Sequence, residues 1–277
     1  MIPGFDLDAF VAATLAEDLG QAGDITSAAV IPADARFMGV MDSRDAITVA
    51  GLPIAEEFFR RLDPEVRVER LVADGDRVAP GTDLMRLEGR ARALLTAERS
   101  ALNTVQHLSG VATMTRRYVD AIEGTGATLL DTRKTIPGLR LLEKYATRTG
   151  GAKNHRMGLW DAAMIKDNHI AVAGDVAEAV RRAVAAGVAE IIVEVDRLDQ
   201  IVPALEAGAT HLLLDNMPPP TLREAVALVG GRAPTEASGG VRLDTIRSIA
   251  ETGVTYVSVG RLTQSAPAAD IGLDFTV

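Results

Sequence analysis

The chain has 277 residues, 47% of them hydrophobic and 24% charged, which suits one large α/β domain or two ordinary ones and excludes a disordered or fibrous protein. Its 29 basic and 38 acidic residues leave a net charge of −9 with only 4% aromatics, so no nucleic-acid partner is expected. The absence of cysteine excludes disulfides and thiol chemistry, and the acidic N-terminal stretch and lack of any span-length apolar run predict a cytoplasmic protein with no membrane partner.

In chain order, Leu7 to Leu19 has the apolar spacing of a helix, while Ala35 to Met41 and Val66 to Val72 alternate like strands. Pro53 opens a short helix at its first turn. VADGDRVAPGTDLMRLEG then reads as two extended pieces joined by Asp/Gly and Pro/Gly turns. From Ala91 a long helical pattern follows and links two domains.

Beyond it the pattern becomes regular. Apolar strands are predicted at 127–131, 162–166, 190–195, 210–215, 233–238 and 255–259, with helical segments between them. The steps from Glu194 to Asp215, Asp215 to Ser238 and Ser238 to Gly260 are 21, 23 and 22 residues, a spacing that suits strand-helix units of a parallel barrel. An open doubly wound sheet is the alternative, but no GxGxxG follows the first of these strands.

Positive charge is concentrated. All four lysines (Lys134, Lys144, Lys153, Lys166) fall between Asp131 and His169, where eight basic residues face four acids. This window is +4 and the rest of the chain −13. A solvated helix face would account for such a run, but so would an anion-binding centre on an otherwise acidic protein.

Active sites of parallel α/β folds lie at the carboxyl ends of the strands. Here those ends carry Asp131-Thr132-Arg133-Lys134, Lys166-Asp167-Asn168-His169, Glu194, Asp215-Asn216, Ser238-Gly239-Gly240 and Gly260-Arg261. A single Asp at such an end is usually the cap of the next helix; the conjunction is what points to a site. Glycines after the last two strands suit backbone N–H groups closing on a phosphate. Glu194 and Asp215 could hold magnesium or accept from ribose hydroxyls, and the Arg and Lys side chains could clamp phosphate or carboxylate oxygens. The ligand these residues describe is a phosphorylated, multiply anionic metabolite. His107 and His211, set in apolar patterns, read as structural histidines.

The motifs ERSALN and HLSGVAT (98–113), DTRKTIPGLRLLEKYA (131–146), GGAKNHR (150–156), IKDNHI (165–170), VEVD (193–196), LLLDN (212–216), ASGG (237–240) and SVGRLTQS (258–265) closely resemble those of the quinolinate phosphoribosyltransferase family. The likeness runs from EDLGQAGDITS (17–27) nearly to the C-terminus. It implies an N-terminal open-faced α/β sandwich (1–108, with the tail 266–277 packed on it) and an incomplete, seven-stranded parallel α/β barrel (109–265), one strand more than the pattern reveals. It implies a homodimer in which Arg133, His155, Arg156 and Lys166, with Arg99 of the partner subunit, bind the pyridine dicarboxylate, quinolinate. By the same likeness Lys134, Glu194 and Asp215 face phosphoribosyl pyrophosphate and its magnesium, with Lys134, Lys166, Glu194 and Asp215 as the catalytic set. The two acids would hold the metal directly or through water. Ser238, Gly239, Gly240 and Gly260 would hold the ribose 5-phosphate. Gln264 stands where the family commonly has His, so a neutral donor replaces a charged one near that phosphate.

Two other readings compete. One is a relative with the same barrel and phosphate site but a different acceptor; the other is a regulator that binds a phosphometabolite without turnover. Two separated acids beside an anionic ligand favour an enzyme, since a simple anion binder gains nothing from them.

Overall fold

The computed structural model describes residues 2–276. It divides into two compact units: 1–114 with 141–150 and 266–277, and 115–140 with 151–265. The dividing line falls inside the helix Ala91–Ala121, and the predicted second domain from 109 to 265 therefore differs from the second unit at two places. The segment 141–150 belongs to the first unit because its helix, Arg140–Thr149, buries Leu142, Glu143, Ala146 and Thr147. Glu143 Oε1 lies 2.9 Å from His107 Nε2, so His107 has the structural partner its apolar setting predicts.

The first unit holds six strands: β1 (Arg36–Ser43), β2 (Ile47–Thr48), β3 (Arg67–Arg70), β4 (Arg77–Val78), β5 (Thr82–Arg90) and, from the far end of the chain, β12 (Ile271–Thr276). Four of them form an antiparallel sheet in the order β12-β1-β5-β3, with Ser43 opposite Ile271. Alternation puts Met41, Met85 and Leu87 in the core with Phe58, Phe59 and Leu94 from the helices Leu52–Leu62 and Ala91–Ala121, while Met38, Arg67 and Arg86 stay exposed on the open face. This is the expected open-faced α/β sandwich.

The second unit is the incomplete parallel barrel. Its strands are β6 (Thr128–Leu130), β7 (Ala163–Ile165), β8 (Ile191–Val195), β9 (His211–Asp215), β10 (Thr235–Ser238) and β11 (Tyr256–Ser258), ordered β6-β11-β10-β9-β8-β7. Each lies within the span its apolar run predicts. The seventh position is one parallel bridge, Leu130 to Lys153, beside β6; a single-residue bridge leaves no apolar run to read in the sequence. Outward residues such as Val193, Val195, Leu212, Leu214 and Val257 are buried. The inward set is mixed: Ala162, Ile192 and Leu213 form a small apolar cluster with Met164, and polar side chains occupy the rest.

Candidate active site

The period-2 geometry of parallel strands decides which side chains reach the barrel interior. Met164 on β7, Glu194 on β8, Leu213 and Asp215 on β9, Glu236 and Ser238 on β10 and Ser258 on β11 line one cavity of about 520 Å³ at the carboxyl ends. Thr132, Arg133, Lys134, His155, Arg156 and Lys166 enter it from the segments after β6 and β7, and Gly239, Gly240, Gly260, Arg261 and Gln264 from those after β10 and β11. Every site residue expected in the barrel is thus gathered in one place. Arg99 is not: it lies exposed on the helix Ala91–Ala121 of the first unit.

One wall is cationic. Arg156 donates from Nη1 to Ala162 O at 3.2 Å. Burial lowers its pKa from the ordinary guanidinium value, the Arg133 charge adds to this, and Asp161 opposes it. Arg133 Nε is buried without a hydrogen-bond partner. Two guanidinium groups close enough to repel, one with an orphaned buried donor, suit a bound carboxylate or phosphate.

The segment carrying Arg156 is held from behind by Asp131, itself fully buried. Asp131 accepts from Asn154 Nδ2 at 2.6 Å and from the His155 backbone N–H at 2.8 Å.

The opposite wall is acidic. Lys166 pairs with Glu194, and Asp215 ends the adjacent strand. Burial raises the Asp215 pKa above its ordinary value and the Glu194 charge raises it further, against Lys166 and Lys134. Two carboxylates that disfavour each other's charge form a place where a cation is stabilised. Among the described residues no cluster of three or more His, Cys, Asp or Glu could enclose a metal. Such a pair therefore fits magnesium that arrives with substrate phosphates and keeps its waters, rather than a protein-only cage.

Glycine shapes the third side. Gly239 has φ +92°, and a Cβ there would come within 2.9 Å of Asn216 N. Asn216, itself left-handed at φ 56°, donates its N–H to Ser238 O at 2.8 Å. A Cβ on Gly260 would meet Lys134 Cδ at 2.8 Å, so the missing side chain is what lets Lys134 pass. Thr263 Oγ1 donates to Lys134 O at 2.7 Å and fastens that loop, while Gln264 is exposed at the rim. His169, counted in the basic window, accepts the Lys166 N–H through Nδ1 at 3.0 Å and does not line the cavity.

Glu236 is the residue that reading the sequence missed. It is fully buried, with Oε2 3.2 Å from His155 Nε2 and 3.1 Å from His211 Nε2; the second contact is poorly aligned for a hydrogen bond. Burial pushes its carboxyl up, but the two histidines outweigh that and hold it down at about 2. The signal was available in TEAS, where a Glu two residues before Ser238 shares its inward face. His211, read as a structural histidine, sits in this polar interior.

A barrel with a cationic wall, an acid pair and a glycine turn at its strand ends defines a class: α/β-barrel proteins built around a phosphorylated, multiply anionic small molecule. Family models for the N-terminal and C-terminal domains of quinolinate phosphoribosyl transferase match residues 24–109 and 111–274. The chain is 42% identical to the chloroplastic nicotinate-nucleotide pyrophosphorylase (carboxylating) of Oryza sativa subsp. japonica, covering 98% of this chain and 78% of that protein. It is 41% identical to quinolinate phosphoribosyltransferase (decarboxylating) 1b of Nicotiana tabacum, over 98% of this chain and 83% of the relative. The solved nicotinate-nucleotide pyrophosphorylase of Francisella tularensis superposes with a TM-score of 0.94 at 38% identity, covering 100% of this chain and 99% of that one. The chain belongs to the quinolinate phosphoribosyl transferase family.

Proposed function

We infer that the chain transfers the phosphoribosyl group of phosphoribosyl pyrophosphate to quinolinate with loss of carbon dioxide, giving nicotinate mononucleotide and pyrophosphate. The observation that carries this reading is the meeting, in one cavity, of a cationic wall, an acid pair and a glycine turn. Each matches one part of the reaction.

Arg133, Arg156 and Lys166, with His155 between them, orient the pyridine dicarboxylate so that its ring nitrogen faces the anomeric carbon. Ser238, Gly239, Gly240 and Gly260 hold the 5-phosphate, with Gln264 as a neutral donor beside them. Lys134 faces the pyrophosphate, and Glu194 and Asp215 stabilise the positive charge that develops on the ribose as that group departs. The same two acids would hold magnesium, directly or through water, and the ion would supply charge neutralisation of the pyrophosphate. Once the nitrogen is quaternised, the adjacent C–CO₂ bond breaks, its electron pair stays on the ring beside the positive nitrogen, and a proton replaces the lost carboxyl.

A homodimer in which Arg99 of the partner subunit completes the dicarboxylate site is part of this proposal, supported by the exposure of Arg99 and its place in ERSALN. The cytoplasm is a separate part. The rice relative is named as chloroplastic, so membership of the family carries no compartment with it, and among the described residues no helix is long and apolar enough to cross a membrane.

The test is incubation with quinolinate, phosphoribosyl pyrophosphate and magnesium, following nicotinate mononucleotide and carbon dioxide. Turnover that collapses on chelation of magnesium is the expected result. A folded protein without turnover would overturn the assignment.

A further inference from the structure

Glu236 has no role in the reading above, yet a fully buried carboxylate needs compensation. A buried anion is tolerated only when charge or several hydrogen bonds stabilise it. The groups closing on Glu236 are ring nitrogens from two other segments, His155 and His211, and the Ser258 side chain.

The hydrogen bonds around His155 assign its tautomer. Nδ1 accepts the Arg156 backbone N–H at 2.6 Å. The ring proton is therefore on Nε2, where it points at Glu236 Oε2, 3.2 Å away. Both ring nitrogens are engaged by the protein, and the ring is tied to the main chain of the residue that supplies the cationic wall. Asp131 holds the same tripeptide through the His155 main-chain N–H and the Asn154 side-chain amide. Asn154-His155-Arg156 is thus clamped by two buried acids, one on these two N–H groups and one on its ring.

The clamp sits where displacement would matter. His155 and Arg156 line the cavity at the carboxyl ends and also a second cavity of about 580 Å³, bounded by Glu190, Thr210 and Pro234 at the amino ends of β8, β9 and β10. They form the partition between the two, and a ring free to turn would leave that floor ill-defined.

We propose that Glu236 is a positioning residue: acting through His155, it fixes the wall that carries Arg156 and so sets affinity for the dicarboxylate and not for the phosphoribosyl donor. This rests on the reading of the site as a quinolinate phosphoribosyltransferase centre. Charge-assisted hydrogen bonds are roughly twice as strong as neutral ones, so an amide at 236 keeps the shape but weakens the anchor.

The experiment compares wild type, Glu236→Gln, His155→Ala and the double variant, with KM measured separately for quinolinate and for phosphoribosyl pyrophosphate. Glu236→Gln is expected to raise the quinolinate KM about tenfold and to move the other KM by less than about twofold. In the His155→Ala background the same change should add little. Equal rises in both KM values, or additive effects, overturn the proposal and leave Glu236 a structural residue. Nitrogen NMR of the histidine rings supplies an arm independent of turnover and of how the variants fold. It should find wild-type His155 protonated on Nε2, and a ring protonated mainly on Nδ1 removes the anchor. Wild-type protein that fails to turn over quinolinate defeats the assignment of function, while the NMR result still decides the anchor.

Discussion

Asp215 shows how a site residue costs stability. Its carboxyl is half-buried beside Glu194 and titrates above the ordinary value. An acid whose pKa is higher folded than unfolded binds its proton first in the folded state, so this group lowers stability near neutral pH and the loss is relieved as pH falls. Asp215→Asn should therefore leave the melting temperature unchanged or raise stability by up to about 1 kcal/mol, while reducing kcat by about 10²-fold or more. Thermal melts and steady-state kinetics on one preparation check both halves; full activity in the variant would remove Asp215 from the mechanism. Gly239 and Gly260 work differently, since what each supplies is the absence of a Cβ where Asn216 N and Lys134 must pass.

At the scale of elements, the helix Ile25–Val30 has six residues, too few to persist on local hydrogen bonds alone. Asp24 holds its start, accepting the Ser27 N–H at 2.8 Å and Thr96 Oγ1 at 2.9 Å, the latter from the helix Ala91–Ala121. The Ser27 hydrogen bonds keep the Asp24 carboxyl below its ordinary value. Asp24→Ala should cost about 1–2 kcal/mol at neutral pH, as the loss of an N-cap does. A carboxyl depressed on folding stabilises above its unfolded pKa, and that contribution disappears as pH falls through the lowered folded value. Denaturant melts at pH 7 and pH 3 should show the gap between wild type and variant narrowing in acid. A gap that stays constant would mean the cap does not act through its charge. The barrel strands bury apolar residues such as Val193, Leu212 and Val257 on their outward face, and their inward face combines a small apolar cluster with the polar groups of the site.

At the scale of the whole molecule, the proposed homodimer makes a mixing experiment decisive. Arg99→Ala and Lys166→Ala should each be nearly inactive, because each removes a cation from every site. In a mixed dimer, the barrel that keeps Lys166 is paired with the subunit that keeps Arg99, which restores one site of two. Random exchange makes half the dimers mixed, so about a quarter of wild-type activity should return. Demonstrated subunit exchange without recovery would show that Arg99 does not serve a neighbouring site.

What the chain reveals without its fold is whatever is local. The six barrel strands are legible because apolar runs and turn residues recur every twenty-odd residues, and their ends are legible because a parallel barrel puts its chemistry there. Arg133, Lys134, Lys166, Glu194, Asp215 and the glycines of 239–240 all follow from that logic. Glu236 does not, because its meaning depends on His155 and His211, which reach it only when three segments close around one interior. Lys153 as a seventh strand position is a single bridge to Leu130 with no periodicity of its own, and Leu141–Gly150 joins the first unit through contacts made by partners distant in sequence, such as His107. Periodicity reports which face of an element is buried; which buried groups meet is decided by loop closure over tens of residues and by the requirement that every charge taken from water find a partner.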